Sequence, residues 1–388
     1  MKNWNFLTAA ALFALLAGPA AAQDALKIGF ITTLSGPAGY LGQDIRDGLQ
    51  LAIDMEGGKL GGVPVQLVVQ DDGLKPATGR EIAEKYMSDQ GIKLLTGIVF
   101  SNVLGAVLPD VVNNGAIYIS PNAAPSNFAG VGCNPNYFVV SWQNDVQQGA
   151  SGAAANILGF KRAFVLAPNY QAGKDAITGF KRLFKGQIAG ELYTQLDQTD
   201  FSSEMAQIRA AKPDMVYEFE PGGLGIAFVK QYAQAGLNKD IPLVLSESST
   251  DAELLKAVGP AAVGIRAAAH WNSDFDNPSS KAFVVAWDAA YHRPVTYYSS
   301  QGYDTGLLIA SALKATGKPD NIDAFRAALR KADFKSVRGD FAFGPNQHPV
   351  QDWYLLEIKA GAEGNPVAVT KQKILDHYGD PYAAACKM

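Results

Sequence analysis

Six segments of the sequence gather small residues, hydroxyls and amides just after apolar runs: Ser35–Gly42, Ser101-Asn102, Ser120–Ala124, Asn169-Tyr170, Glu220–Gly223 and Ser246–Ser249. Small residues leave backbone N–H groups open. Helix N-termini add partial positive charge. Together they hold a carboxylate without a buried arginine. Ser101 is placed to cap a helix starting at Val103, and Asn122, Ala123 and Ala124 fill the next tip. Tyr170 offers a ring to cover a ligand and a hydroxyl to reach a polar group. Glu220 and Glu247 stand at tips of the second half, where ionised carboxylates would favour a ligand with an ammonium or several donors. The sequence leaves open whether Glu218 or Glu220 faces the site. Trp271 is either an aromatic wall or core. Any of these residues alone is ordinary capping, turn or surface chemistry; their concentration at successive tips is what points to a binding site.

Catalytic patterns are missing from the same sequence. There is no G-x-S-x-G elbow and no P-loop. The four histidines, His270, His292, His348 and His377, lack a metal-ligand partner at helical spacing or a nearby Cys-x-x-Cys, so no metal site is read. Gly222-Gly223-Leu224-Gly225 follows a strand but lacks dinucleotide-binding spacing, and no cofactor is expected. Ser311-x-x-Lys314 lies within an apolar helix without its companion motifs.

The tips are positioned by alternating elements. Apolar runs at Leu26–Ile31, Val63–Val69, Leu94–Phe100 and Ala116–Ser120 read as strands. They are separated by helical periodicity around Ile45–Ile53, Pro76–Met87 and Val103–Asn113. The pattern restarts at Ala163–Ala167 and continues through Met215–Phe219 to Pro242–Leu245. Such alternation implies parallel sheets with helices on both faces, and ligands sit beyond the carboxyl ends of their strands. After His270 the rhythm changes to helices at Phe283–Tyr291, Gln301–Thr316 and Ile322–Lys331, then strands at Phe341–Phe343 and Trp353–Ile358. The expected fold is α/β, with one lobe from residues 23–144 plus 274–346 and another from 145–273 plus 347–388. Three crossings between them make a hinge.

Of the 388 residues 48% are hydrophobic and 18% charged, which excludes a disordered chain. The net charge of −4 excludes the basic face a nucleic-acid partner requires. A lysine in Met1–Asn5, the apolar run Phe6–Ala17 and Ala20–Ala22 form the pattern of a cleaved signal peptide over residues 1–22. Export to the periplasm follows as an expectation. In that oxidising compartment the two cysteines, Cys133 and Cys386, are expected to pair.

The mature chain resembles the periplasmic leucine/isoleucine/valine-binding proteins and related type I solute-binding proteins. The marks are Ser35-Gly36-Pro37 with Gly42, Gly57-Gly58, Val63–Asp72, Gly97–Ser101, Ile119-Ser120-Pro121, Tyr170 with Gly173, and Gln301-Gly302-Tyr303-Asp304. The resemblance implies a type I periplasmic-binding-protein fold of two Rossmann-like lobes, closing like a flytrap. It also implies a non-enzymatic role and docking to an ABC permease in the inner membrane, and a monomer is expected. It places a small-molecule carboxylate at Ser101 and Asn122–Ala124, an aromatic contact at Tyr170 and an ammonium-binding acid at Glu247. Amino-acid binders usually have threonine where Ala124 stands, often an aromatic where Leu41 stands, and a small residue where Asn122 stands. The stretches Ser120–Ser126, Gly132–Pro135 and Cys386–Met388 look closer to binders of aromatic acids such as benzoates. The ligand classes are therefore a branched-chain amino acid or an aromatic acid. The competing readings are an exported sensory module and an exported hydrolase with an unrecognised site.

Overall fold

The computed structural model describes residues 25–388; the signal-peptide pattern lies outside them. The first half alternates strongly. It runs β1 (Leu26–Thr32), α1 (Gly39–Met55), β2 (Lys59–Leu60), β3 (Val63–Asp71), α2 (Pro76–Ser88), β4 (Leu94–Thr96), α3 (Ser101–Asn113), β5 (Ile117–Ser120) and β6 (Tyr137–Val139). Its sheet has the order β2-β3-β1-β4-β5-β6, parallel apart from β2. Strands such as Ile117–Ser120 are buried at every residue, because helices cover both faces of a parallel sheet.

The second half continues with α4 (Asn144–Ile157), β7 (Arg162–Pro168), α5 (Gln171–Leu183), β8 (Gln187–Thr194), α6 (Ser202–Ala211) and β9 (Met215–Glu218). It goes on through α7 (Gly223–Gln234), β10 (Leu243–Ser246), α8 (Ala252–Val258) and β11 (Arg266–Ala269). The chain then returns to the first lobe. There α9 (Pro278–Tyr291) and α10 (Tyr297–Thr316) pack on α1, and α11 (Ile322–Lys331) packs on α10. A Thr296–Ser299 capping box fixes the start of α10, and Asn277 caps α9 just ahead of Pro278. Strands β12 (Ala342–Phe343), β13 (Pro349–Ala360) and β14 (Pro366–Tyr378) complete the second sheet. Its order is β12-β13-β11-β10-β9-β7-β8, with β14 on β13.

The α/β class with two lobes is thus the observed one, and the chain passes between the sheets three times. The sequence boundary at residue 346 left β12 with the first lobe. The structure pairs β12 with β13 of the second sheet, while the Phe343 ring packs 5.7 Å from Phe138 of the first. The third crossing is therefore a segment shared by both lobes. Cys133 and Cys386 are joined, with Cα atoms 5.7 Å apart.

Candidate functional site

The carboxyl ends of both sheets face one another, and a small cavity lies between them. Its first-lobe wall is the loop between β4 and the first turn of α3. Ser101 does not cap this helix as expected. Phe100 occupies the cap position and Ser101 is the first helical residue. The N–H groups of Val103 and Leu104 already turn to the Phe100 carbonyl, at 3.1 and 3.0 Å. Those of Ser101 and Asn102 have no acceptor within the helix, as geometry requires of a first turn. The Ser101 hydroxyl accepts from Asn144 Nδ2 at 3.2 Å, so its own proton is free to donate.

The β5 tip is held rigidly beside it. Ser120 Oγ donates to the Ala123 carbonyl, Ser141 Oγ donates to the Asn122 carbonyl, and Asn122 Nδ2 donates to the Val99 carbonyl at 2.7 Å. Opposite, Tyr170 sits at the start of α5. That helix can begin so close to β7 only because residue 173 is glycine: a Cβ there would lie 1.8 Å from the Pro168 carbonyl oxygen. The Tyr170 ring stacks on Phe219 at 6.4 Å and lies 6.5 Å from Phe100. Trp142 and Tyr298 add further rings, and Asn144, Gln147, Gln148 and Ser248 supply polar groups.

Ser101, Asn122, Ala123 and Tyr170 therefore line one cavity. Other residues singled out from the sequence do not reach it. Leu41 is fully buried in the first-lobe core. Ala124 lies behind the wall, its N–H and C=O both engaged by Asn144. Trp271 donates its indole N–H to Ser280 and packs on Phe283. With Glu247 it borders a separate recess of about 110 Å³ beside the hinge. Glu247 is taken by His270, whose Nδ1 is 2.7 Å from its carboxylate. Burial pushes the Glu247 pKa well up and the His270 pKa well down, so burial disfavours charge on both partners. Neither is free to meet a ligand ammonium.

Glu220 faces away by strand alternation. Met215, Tyr217 and Phe219 point toward α4 and α5; Glu218 and Glu220 point to the opposite side. Thr194 Oγ1 donates to Glu220 at 2.7 Å, and Ser249 Oγ donates to Glu218 at 3.1 Å. Phe219 is the residue of this strip that reaches the cavity, so the sequence's choice between the two acids has neither as its answer. Desolvation raises the Glu220 pKa from 4.5 to about 8. A carboxyl whose folded pKa is raised binds its proton more tightly when folded, so stability falls as pH rises from about 4.5 to about 8. Glu220→Gln is expected to flatten that part of the stability profile, measured by urea midpoints at both ends of the window. An unchanged slope would show that Glu220 is not its source.

None of the described residues lining the cavity is charged, and five of them carry aromatic rings. The lobes touch across it: Tyr40 donates to Asp251 at 3.1 Å and Ser126 donates to Asp175 at 2.6 Å. Gly223 leaves room for Pro37, since a Cβ there would come within 2.7 Å of the proline. The enclosed volume is only about 20 Å³, about the space of one water. A ring-sized guest would hold the lobes further apart than they stand here. Its ring would lie among the aromatic walls, and a carboxylate would meet the Ser101 hydroxyl and the first turn of α3. Elsewhere, half-buried Asp352 and exposed Asp376 and His377 form a group of metal-type ligands, but Lys373 already bridges the two aspartates at 2.5 and 2.8 Å.

Residues 25–363 match the family model described as periplasmic binding protein. A solved solute-binding protein of an ABC transporter from R. palustris, in complex with benzoate, is 34% identical. The match covers 94% of this chain and 100% of that one, with a TM-score of 0.89. A second R. palustris solute-binding protein, in complex with 4-hydroxybenzoate, is 26% identical, covers 92% and 98%, and has a TM-score of 0.86. Among curated relatives, Leu/Ile/Val-binding protein homolog 6 of Brucella melitensis is 27% identical over 92% of this chain and 93% of its own length. With two facing lobes, a cleft at their strand ends and a family match spanning nearly all described residues, the chain belongs to the periplasmic binding protein family of ABC-transporter solute-binding proteins.

Proposed function

We propose that this protein captures a small aromatic carboxylate between its lobes in the periplasm and delivers it, as a monomer, to an ABC permease. The observation that carries the reading is the cavity wall itself: five aromatic rings, no charged side chain, and the first turn of α3 with Ser101 at one end. An amino acid would bring an ammonium into this space, and the acids next to its lining residues are turned elsewhere: Glu247 to His270, Glu220 to Thr194, Glu218 to Ser249, and Asp145 to Arg182 and Tyr382. Leaving such a charge without a partner would cost several kcal/mol. Benzoate and 4-hydroxybenzoate in two relatives agree with the ring-lined wall. The family's role and the signal-peptide pattern support the location and the partner. In this reading no bond of the ligand is made or broken.

A thermal-shift panel of benzoates against leucine, isoleucine and valine tests the assignment. A ligand that binds only the folded state adds about 2.7 kcal/mol at a hundredfold excess over its dissociation constant, so a true ligand gives a clear shift. A response confined to the aliphatic amino acids would overturn the reading. Ser101→Ala is expected to weaken binding of the responding ligand by about 1 kcal/mol or more, because a hydrogen bond to a charged group is lost. Titration calorimetry checks it, and an unchanged affinity removes Ser101 from the contact.

A further inference from the structure

The cavity also carries a hydrogen-bond pattern that a plain aromatic acid does not use. Asn122 is about nine-tenths buried, and its Nδ2 is committed to the Val99 carbonyl at 2.7 Å. That bond fixes the amide orientation and leaves Oδ1, which is buried, without any partner. An unpaired buried acceptor in a native site calls for an explanation.

The opposite wall presents a donor. Tyr217 donates to Gln148 Oε1 at 2.5 Å, Gln148 Nε2 to Gln147 Oε1 at 2.6 Å, and Gln147 Nε2 to Ser248 Oγ at 3.2 Å. Every bond in this chain points the same way. Its end, the Ser248 hydroxyl, receives a hydrogen bond and keeps its own proton to give. The carboxylate end is likewise a donor, since Ser101 Oγ accepts from Asn144. The cavity thus offers hydroxyl protons at Ser101 and Ser248 and one unused acceptor at Asn122. A carboxylate and a bare ring satisfy the donors only; neither can give a proton to Asn122. A ring hydroxyl can.

Resting on the aromatic-carboxylate reading, we propose that the ligand is a ring-hydroxylated aromatic acid, and that Asn122 Oδ1 selects it by accepting the hydroxyl proton. A site built around a ligand hydroxyl rejects the analogue without it, because the buried partner is then left bare.

The test is calorimetric titration of the mature protein with benzoate and each of the three monohydroxybenzoates, repeated with Asn122→Leu. At least one hydroxybenzoate is expected to bind about tenfold or more tightly than benzoate, and the preference should shrink to about threefold or less in the variant. Benzoate binding wild type as tightly as all three isomers would overturn the selection while keeping the aromatic reading; this arm needs no variant. A preference that survives Asn122→Leu would assign selection elsewhere and overturn the role of Asn122. No binding of any of the four would remove the aromatic reading, and the selection with it.

Discussion

Opening the Cys133–Cys386 bond is expected to lower the free energy of unfolding by up to about 5 kcal/mol, the chain-entropy value for a loop of 253 residues. The bond closes most of the described chain into one loop, so the unfolded state gains much freedom when it is cut. The native tail also loses its anchor. Cys386 ends a segment that touches both lobes. On the first lobe, Tyr382 and Ala385 pack on Gly130. On the second, the Tyr382 hydroxyl donates to Asp145 at 2.7 Å and accepts from Arg182 at 2.9 Å. Asn346 ties the same segment to the first lobe, bonding both Asp380 and the Ala129 carbonyl. Urea unfolding of Cys133→Ser/Cys386→Ser beside the wild type checks the figure without adding reductant. A difference below about 1 kcal/mol would mean that the bridge secures only the tail and adds nothing to the fold.

How far the sequence could be read depended on whether each residue's neighbours were local. The tips of β4, β5 and β7 are set by their own strands, so Ser101, Asn122, Ala123 and Tyr170 could be found from a strand followed by a helix. The polar wall could not. Trp142 and α4 carry no strand-then-helix signal of that kind, and Asn144, Asp145, Gln147 and Gln148 form a polar run with nothing in its sequence to mark it as buried. They are buried because α4 starts where the lobes meet and has neighbours on all sides, and tertiary context overrides a polar pattern. The direction of Glu220 turned on a single step of strand register, which a four-residue strand does not fix from sequence. Strand β14 was also unread. Its Lys-Gln-Lys-Ile-Leu-Asp-His run lacks alternation, because it is a largely exposed edge whose pairing with β13 is interrupted by register shifts.

Arg338→Met is expected to cost about 3–5 kcal/mol, the loss that follows when one partner of a buried ion pair is removed. Arg338 is nearly fully buried and stands where two crossings between the lobes meet. Its Nη1 donates to the carbonyls of Val140 and Ser141 on the first crossing, at 2.6 and 3.0 Å, and to Gln351 Oε1 beyond the third at 2.7 Å. Its Nη2 lies 3.1 Å from Asp304 of α10. Desolvation lowers the Arg338 pKa and raises that of Asp304, and each partner offsets part of the other's shift. Methionine fills similar space but takes the arginine's bonds from the Val140 carbonyl and Gln351 Oε1 and leaves the buried Asp304 carboxylate without its cation, while the Ser141 carbonyl keeps a bond from Gln351 Nε2. Ser336 and Val337 still bond Asp304, yet they supply no charge. The loss should therefore shrink when Asp304→Asn is added, because the asparagine needs no cation. A double-mutant cycle by urea unfolding reads this directly, with a coupling of about 1 kcal/mol or more expected. Additive losses would mean that Arg338 acts through its carbonyl bonds at the crossings and not through Asp304. The fold would then depend on that arginine as a donor tying two strands of the hinge, a role in which lysine, with no planar fork, could not hold both crossings at once.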